Sequence, residues 1–116
     1  MKDENQSANE YYSQYHGTEN YYPLNHFLLT DGVFEIAGEE ECFWFLQEIT
    51  LNQKKLMDQE FQTWTLKRIC NNEFKIEATD GNNNIIYEDI IPFSDFFFQE
   101  FTIWLENRVL MLPSER

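Results

Sequence analysis

The sequence predicts an α+β domain: helices packed on one face of a small antiparallel sheet, a three-strand meander plus a short C-terminal strand. Three observations predict it. Apolar residues recur at helical spacing over 31–51 and again over 94–106, they alternate with polar ones between residues 61 and 91, and short turn-rich links join the alternating runs.

Residues 1–22 stand apart. They contain no Leu, Ile, Val, Phe or Trp, yet they hold Tyr11, Tyr12, Tyr15, Tyr21 and Tyr22, five of the six tyrosines. A segment with so little aliphatic surface does not offset its ordering entropy, so residues 1–20 are expected to form a mobile Tyr-rich arm and residues 21–116 a single domain. In that domain Asp31 is expected to cap a short helix through Phe34 and Ile36 that stops at Gly38. A second helix is expected over Glu39–Leu51, with Phe43, Phe45, Leu46 and Ile49 at helical spacings and three glutamates in its first turn, where the helix dipole favours them. Residues 52–60 are polar and read as a loop.

Strands follow. Trp64 and Leu66 alternate with Thr63, Thr65 and Lys67; then Phe74, Ile76 and Ala78 alternate with Lys75, Glu77 and Thr79. The run Asp80-Gly81-Asn82-Asn83-Asn84 is a hairpin loop, and Ile85–Ile91 is the third strand, ended by Pro92. Ser94 or Asp95 is expected to cap a helix to about Glu106, because Phe97, Phe101, Trp104 and Leu105 make one apolar stripe. A short final strand covers 108–113.

Composition excludes several functions. The chain has 116 residues with 21 acidic and 8 basic side chains, a formal charge of −13. Four of the acids and one of the bases lie in residues 1–20, which leaves a net −10 for the remainder. Such a chain repels phosphates, so neither direct nucleic-acid binding nor attraction to an anionic membrane is expected. No apolar run is long enough to span a bilayer, no secretory leader is seen, and two cysteines make no disulfide framework, so the expected location is the cytoplasm.

Catalytic patterns are poor. His16 falls in the arm and His26 at the domain entry; Cys42 lies among aromatics after three glutamates, surroundings that raise a thiol pKa. The spacings of zinc, calcium and phosphate sites are missing, and the adjacent Glu88 and Asp89 point to opposite faces of a strand. The chain is therefore expected not to be an enzyme and to need no cofactor or metal. Charge and aromatics are the remaining signals. Glu35, Glu39, Glu40, Glu41 and Glu48 form a candidate acidic patch that attracts a basic protein partner. Phe96-Phe97-Phe98 cannot all face one side of a helix, so Phe96, Phe98 and Trp44 are candidate exposed anchors, and Tyr11, Tyr12 and Tyr15 candidate adaptable contacts.

From about Asn20 onward the chain resembles a small uncharacterised acidic family of bacterial mobile elements and phages. The resemblance rests on Thr30-Asp31-Gly32-Val33, on Phe61-Gln62-Thr63-Trp64-Thr65-Leu66, on the Asp80-Gly81-Asn82 turn before Ile86-Tyr87, and on Val109-Leu110-Met111-Leu112-Pro113-Ser114. It transfers no catalytic residue. By analogy it implies an anti-CRISPR-like inhibitor that binds a basic nucleic-acid-binding surface of a nuclease effector, or interferes with its guide RNA, in the host bacterial cytoplasm. The alternative is a regulatory or assembly module of a mobile element that forms a homodimer through Phe96, Phe98 and Trp44.

Overall fold

A computed structural model describes residues 2–116. Seven strands form one sheet: β1 (Tyr22–Leu24), β2 (Phe27–Leu29), β3 (Phe61–Cys70), β4 (Glu73–Thr79), β5 (Ile85–Ile91), β6 (Glu100–Glu106) and β7 (Val109–Met111). Their spatial order is β1-β2-β7-β6-β3-β4-β5, antiparallel throughout except for the parallel β2–β7 pair. The class is α+β, with more strands than the meander plus one expected from the sequence.

Alternation places the strands. Trp64 and Leu66, Phe74 and Ile76, and Phe101 and Ile103 are all fully buried, whereas Thr63, Thr65, Thr102 and Trp104 lie on the opposite, open face. Two helices cover the buried face, α2 (Asp31–Glu39) through Val33 and Ile36, and α3 (Phe43–Leu51) through Phe45, Leu46 and Ile49. The Phe45 ring packs edge-on against Phe101 at 5.9 Å. No helix of the described residues is long and apolar enough to cross a membrane.

Three expectations are corrected. The segment 94–106 is not a helix: residues 92–99 are irregular and β6 begins at Glu100. Both periods fit these residues, but Thr102 and Ile103 are β-branched, and β6 fills the gap between β3 and β7. The helix expected from Glu39 starts only at Phe43, because α2 runs on to Glu39 and Glu41 then takes a left-handed backbone (φ 53°). The glutamates thus follow a helix rather than open one.

The third correction concerns the segment expected to be a mobile arm. In the structure it is docked. Ser7 opens a short helix α1 (Ala8–Tyr11) through a reciprocal capping box with Glu10. Alongside, Ser7 bridges Glu100, and Asn9 both donates to the Thr102 carbonyl (2.9 Å) and accepts from its amide (2.8 Å). Strand β7 pairs only with residues 104–106 of β6, so this segment satisfies the edge that β7 leaves open. Ala8 and Tyr12 are buried in the main core.

Candidate functional site

Many of the carboxylates are tied inside the molecule. Glu115, in a 3-10 turn over Pro113–Glu115, accepts from the Thr30 hydroxyl (2.5 Å) and from the amides of Gly32 (2.9 Å) and Leu112 (3.0 Å). It supplies a negative charge to the first turn of α2 from 83 residues away. A side chain at position 32 would displace this arrangement, since a Cβ would lie 2.6 Å from Leu112 Cδ1 and 2.9 Å from the Glu115 carboxyl. The cap of α2 is Thr30, whose hydroxyl accepts from the Val33 amide, and not Asp31 as expected; Asp31 instead accepts from the Glu19 amide (2.8 Å) and the Tyr22 hydroxyl (3.0 Å), bonds that hold its carboxyl below the usual range.

The tyrosines follow the same logic. The Tyr12 hydroxyl donates to Glu40 Oε2 at 2.5 Å, and burial together with that carboxylate pushes the phenol's pKa up. Burial also raises Tyr15, among Glu35, Glu115, Asp31 and Glu39. Glu40 is paired again with Lys2 Nζ at 3.1 Å and its side chain is only 4% exposed. Of the expected acidic patch, then, Glu35, Glu39 and Glu41 are exposed on and just after α2, and Glu40 is an internal anchor. Tyr11 is the exposed member of its group, packed 5.4 Å from Phe98, while Tyr12 is buried and Tyr15 half-buried.

Phe96 and Phe98 do not form an exposed patch. They are 2% and 0% exposed, stacked among Phe74, Phe101, Tyr11 and Tyr12, because the irregular segment 92–99 folds them inward. Arg68 fixes that segment by donating to the carbonyls of Phe96 (2.8 Å) and Phe97 (3.1 Å). The exposed aromatic there is Phe93. A homodimer seated on Phe96 and Phe98 has lost those two anchors.

The remaining candidates, Trp44 and Glu48, come together on one side of α3, beside β5. Glu48 accepts from the Tyr87 hydroxyl at 2.7 Å and neighbours the Asp89 carboxyl. Burial and the neighbouring Asp89 carboxyl raise Glu48 to about 7. Trp44, one turn earlier on the same side, is half-buried. Across the open face of β5, Glu88 and Glu77 share Lys75, at 3.4 and 3.3 Å. The helix-side carboxyls Glu48 and Asp89 have no such cation among the described residues.

This cluster lies on the edge of the sheet. Strand β5 is the last in the order, seven residues long, and no hydrogen bond of the described residues reaches its outer amides and carbonyls. Tyr87 was missing from the sequence-derived candidates, and Asp89 was weighed only with Glu88, not with Glu48. Their signal is the period of two, which sets Tyr87, Asp89 and Ile91 on one face and so puts a carboxylate on the inward side of a strand. The thiols offer less. Burial pushes Cys42 up to about 12, and Cys70 is exposed at the end of β3.

Residues 6–116 match the model of a family described as "Family of unknown function (DUF6876)". Neither the curated proteins nor the solved structures contain a match.

Proposed function

Since the chain belongs to that family of unknown function, its role is read from its own surface, and we propose that it is a non-enzymatic acidic protein that captures a basic partner. The observation that carries this reading is the unbalanced charge of −13, left unbalanced by a fold that engages five of its eight basic side chains internally. Lys2, Lys75 and Arg116 pair with carboxylates, while Arg68 and Arg108 hold backbone carbonyls. Exposed Glu35, Glu39 and Glu41 then face solvent without a cation beside them among the described residues. Such a field steers association with a basic surface and is screened by salt.

The specific case is an anti-CRISPR-like inhibitor acting in the bacterial cytoplasm, its carboxylates lying where phosphates lie in a nuclease effector's nucleic-acid channel. The protonated, buried Cys42 thiol supports binding rather than covalent chemistry. The test is competition. Purified protein is added to purified CRISPR effector nucleases, and retention of guide RNA or target DNA is followed by gel mobility at low and high salt. Release of nucleic acid that weakens as salt rises is the expected result. No release from any nuclease, or release indifferent to salt, overturns the reading.

A further inference from the structure

We propose that the open edge of β5 is a strand-addition site for an extended partner segment in which basic residues alternate with apolar ones. The inference rests on the electrostatic reading above and names the form the basic partner takes.

The backbone supplies the first reason. Strand β5 contains no proline or lysine, the usual guards of an edge, and its one irregularity is a register shift near the hairpin, opposite Ala78 and Thr79. A row of amides and carbonyls over Tyr87–Ile91 therefore stays available to a neighbour that hydrogen-bonds main chain to main chain.

The side chains fix the neighbour's chemistry, because an added strand presents alternate residues to the two faces. On the helix side they meet Asp89 and, held by the Tyr87 hydroxyl at 2.7 Å, Glu48, two neighbouring carboxyls with no cation paired to either among the described residues. A lysine or arginine there relieves their mutual repulsion. On the open side they meet Ile85 and Ile90, 54% and 48% exposed, where Lys75 already neutralises Glu88 and apolar residues fit. Half-buried Trp44 lies one turn before Glu48 on α3, an aromatic surface on the same side of that helix for an arginine or lysine stem.

A second copy of the chain is the poorer occupant. Antiparallel self-pairing centred on Glu88 sets that carboxylate against the same residue of the other copy and brings two Asp89–Glu48 pairs to one face. The edge is guarded by charge against itself and open to the opposite charge.

The probe is a labelled nonapeptide of alternating lysine and valine, followed by fluorescence anisotropy with the full chain at low salt. Controls are a composition-matched isomer with its lysines consecutive, and the alternating peptide N-methylated on alternate amides. Expected are binding of the alternating peptide, a loss of about tenfold on N-methylation, and a loss of about fivefold with Glu48→Gln/Asp89→Asn. Hydrogen exchange is expected to show new protection confined to β5. Equal binding of all three peptides overturns strand addition while electrostatic capture stands. Methylation-sensitive binding in a protein that releases nucleic acid from no nuclease supports the edge site and overturns nuclease capture. No binding of the alternating peptide overturns the edge site outright.

Discussion

The β1 end of the sheet and the β5 end face the same backbone problem, a row of amides and carbonyls without a neighbouring strand, and they meet it in opposite ways. At the first end the strand is three residues long with Pro23 in its middle. Tyr22 stacks on Phe34 at 4.0 Å, and the chain before it is tied to Asp31. The N-terminal segment also covers the part of β6 that β7 leaves open. At the other end a seven-residue strand carries no such cover. The same acidic side chains serve differently in the two places. Asp31, Glu40 and Glu115 are saturated by protein donors, whereas Glu48 and Asp89 face each other.

That contrast is broken most severely by deleting residues 1–20. Removal exposes the Thr102 edge and the Phe98 cluster and should lower stability by about 4 kcal/mol, measured as a urea midpoint shift. An unchanged midpoint would mean that the docked segment adds nothing. Next comes Glu115→Ala, which leaves the Gly32 and Leu112 amides and the Thr30 hydroxyl without their acceptor. A loss of about 3 kcal/mol, or roughly 12 °C in Tm, is expected by calorimetry.

The β5 end responds to pH instead. Glu48 titrates near 7 in the folded chain and near its ordinary 4.5 when unfolded. The folded state therefore holds the proton more tightly. The stability this confers is present at pH 4.5 and below and is lost as pH rises through about 7. Glu48→Gln removes that dependence. From pH 5 to pH 8 the parent should lose about 1 kcal/mol relative to the variant, well under the full linkage value because Glu48 keeps partial contact with solvent, which screens the interaction. The groups facing the Glu48 carboxyl are Tyr87 and Asp89 from β5, and Asn52, just after α3, reaches the Tyr87 hydroxyl and the Glu48 carbonyl. A parallel pair of pH profiles would place the raised carboxyl elsewhere. Smallest of all is Ile90→Lys, on the exposed side of the open edge. Its effect on unfolding free energy should stay within about 0.5 kcal/mol, yet peptide addition should weaken measurably.

The meander was legible because Trp64/Leu66 and Phe74/Ile76 alternate without ambiguity and the Asp80–Asn84 loop permits only a turn. Residues 94–106 were not, since a stripe at 97, 101, 104 and 105 and an alternation at 101, 103 and 105 coexist; the vacancy between β3 and β7 decides, and that is a tertiary fact. The docked N-terminal segment was partly legible. Ser7-Ala8-Asn9-Glu10 has the spacing of a capping box, but its worth depends on Thr102 and Glu40, far along the chain. Phe96 and Phe98 misled because three aromatics in a row imply exposure only if they are helical. Glu48 was singled out in the sequence for its charge alone; what sets it apart in the structure, burial beside the Asp89 carboxyl, depends on a strand 39 or more residues away.

The long reach of Glu115 has a temporal side. A ribosome delivers α2 well before the residue that caps it, so on the nascent chain the amide of Gly32 finds only water. The helix can flicker into shape early but cannot settle until the carboxylate emerges, and the parallel β2–β7 pairing closes at the same late moment.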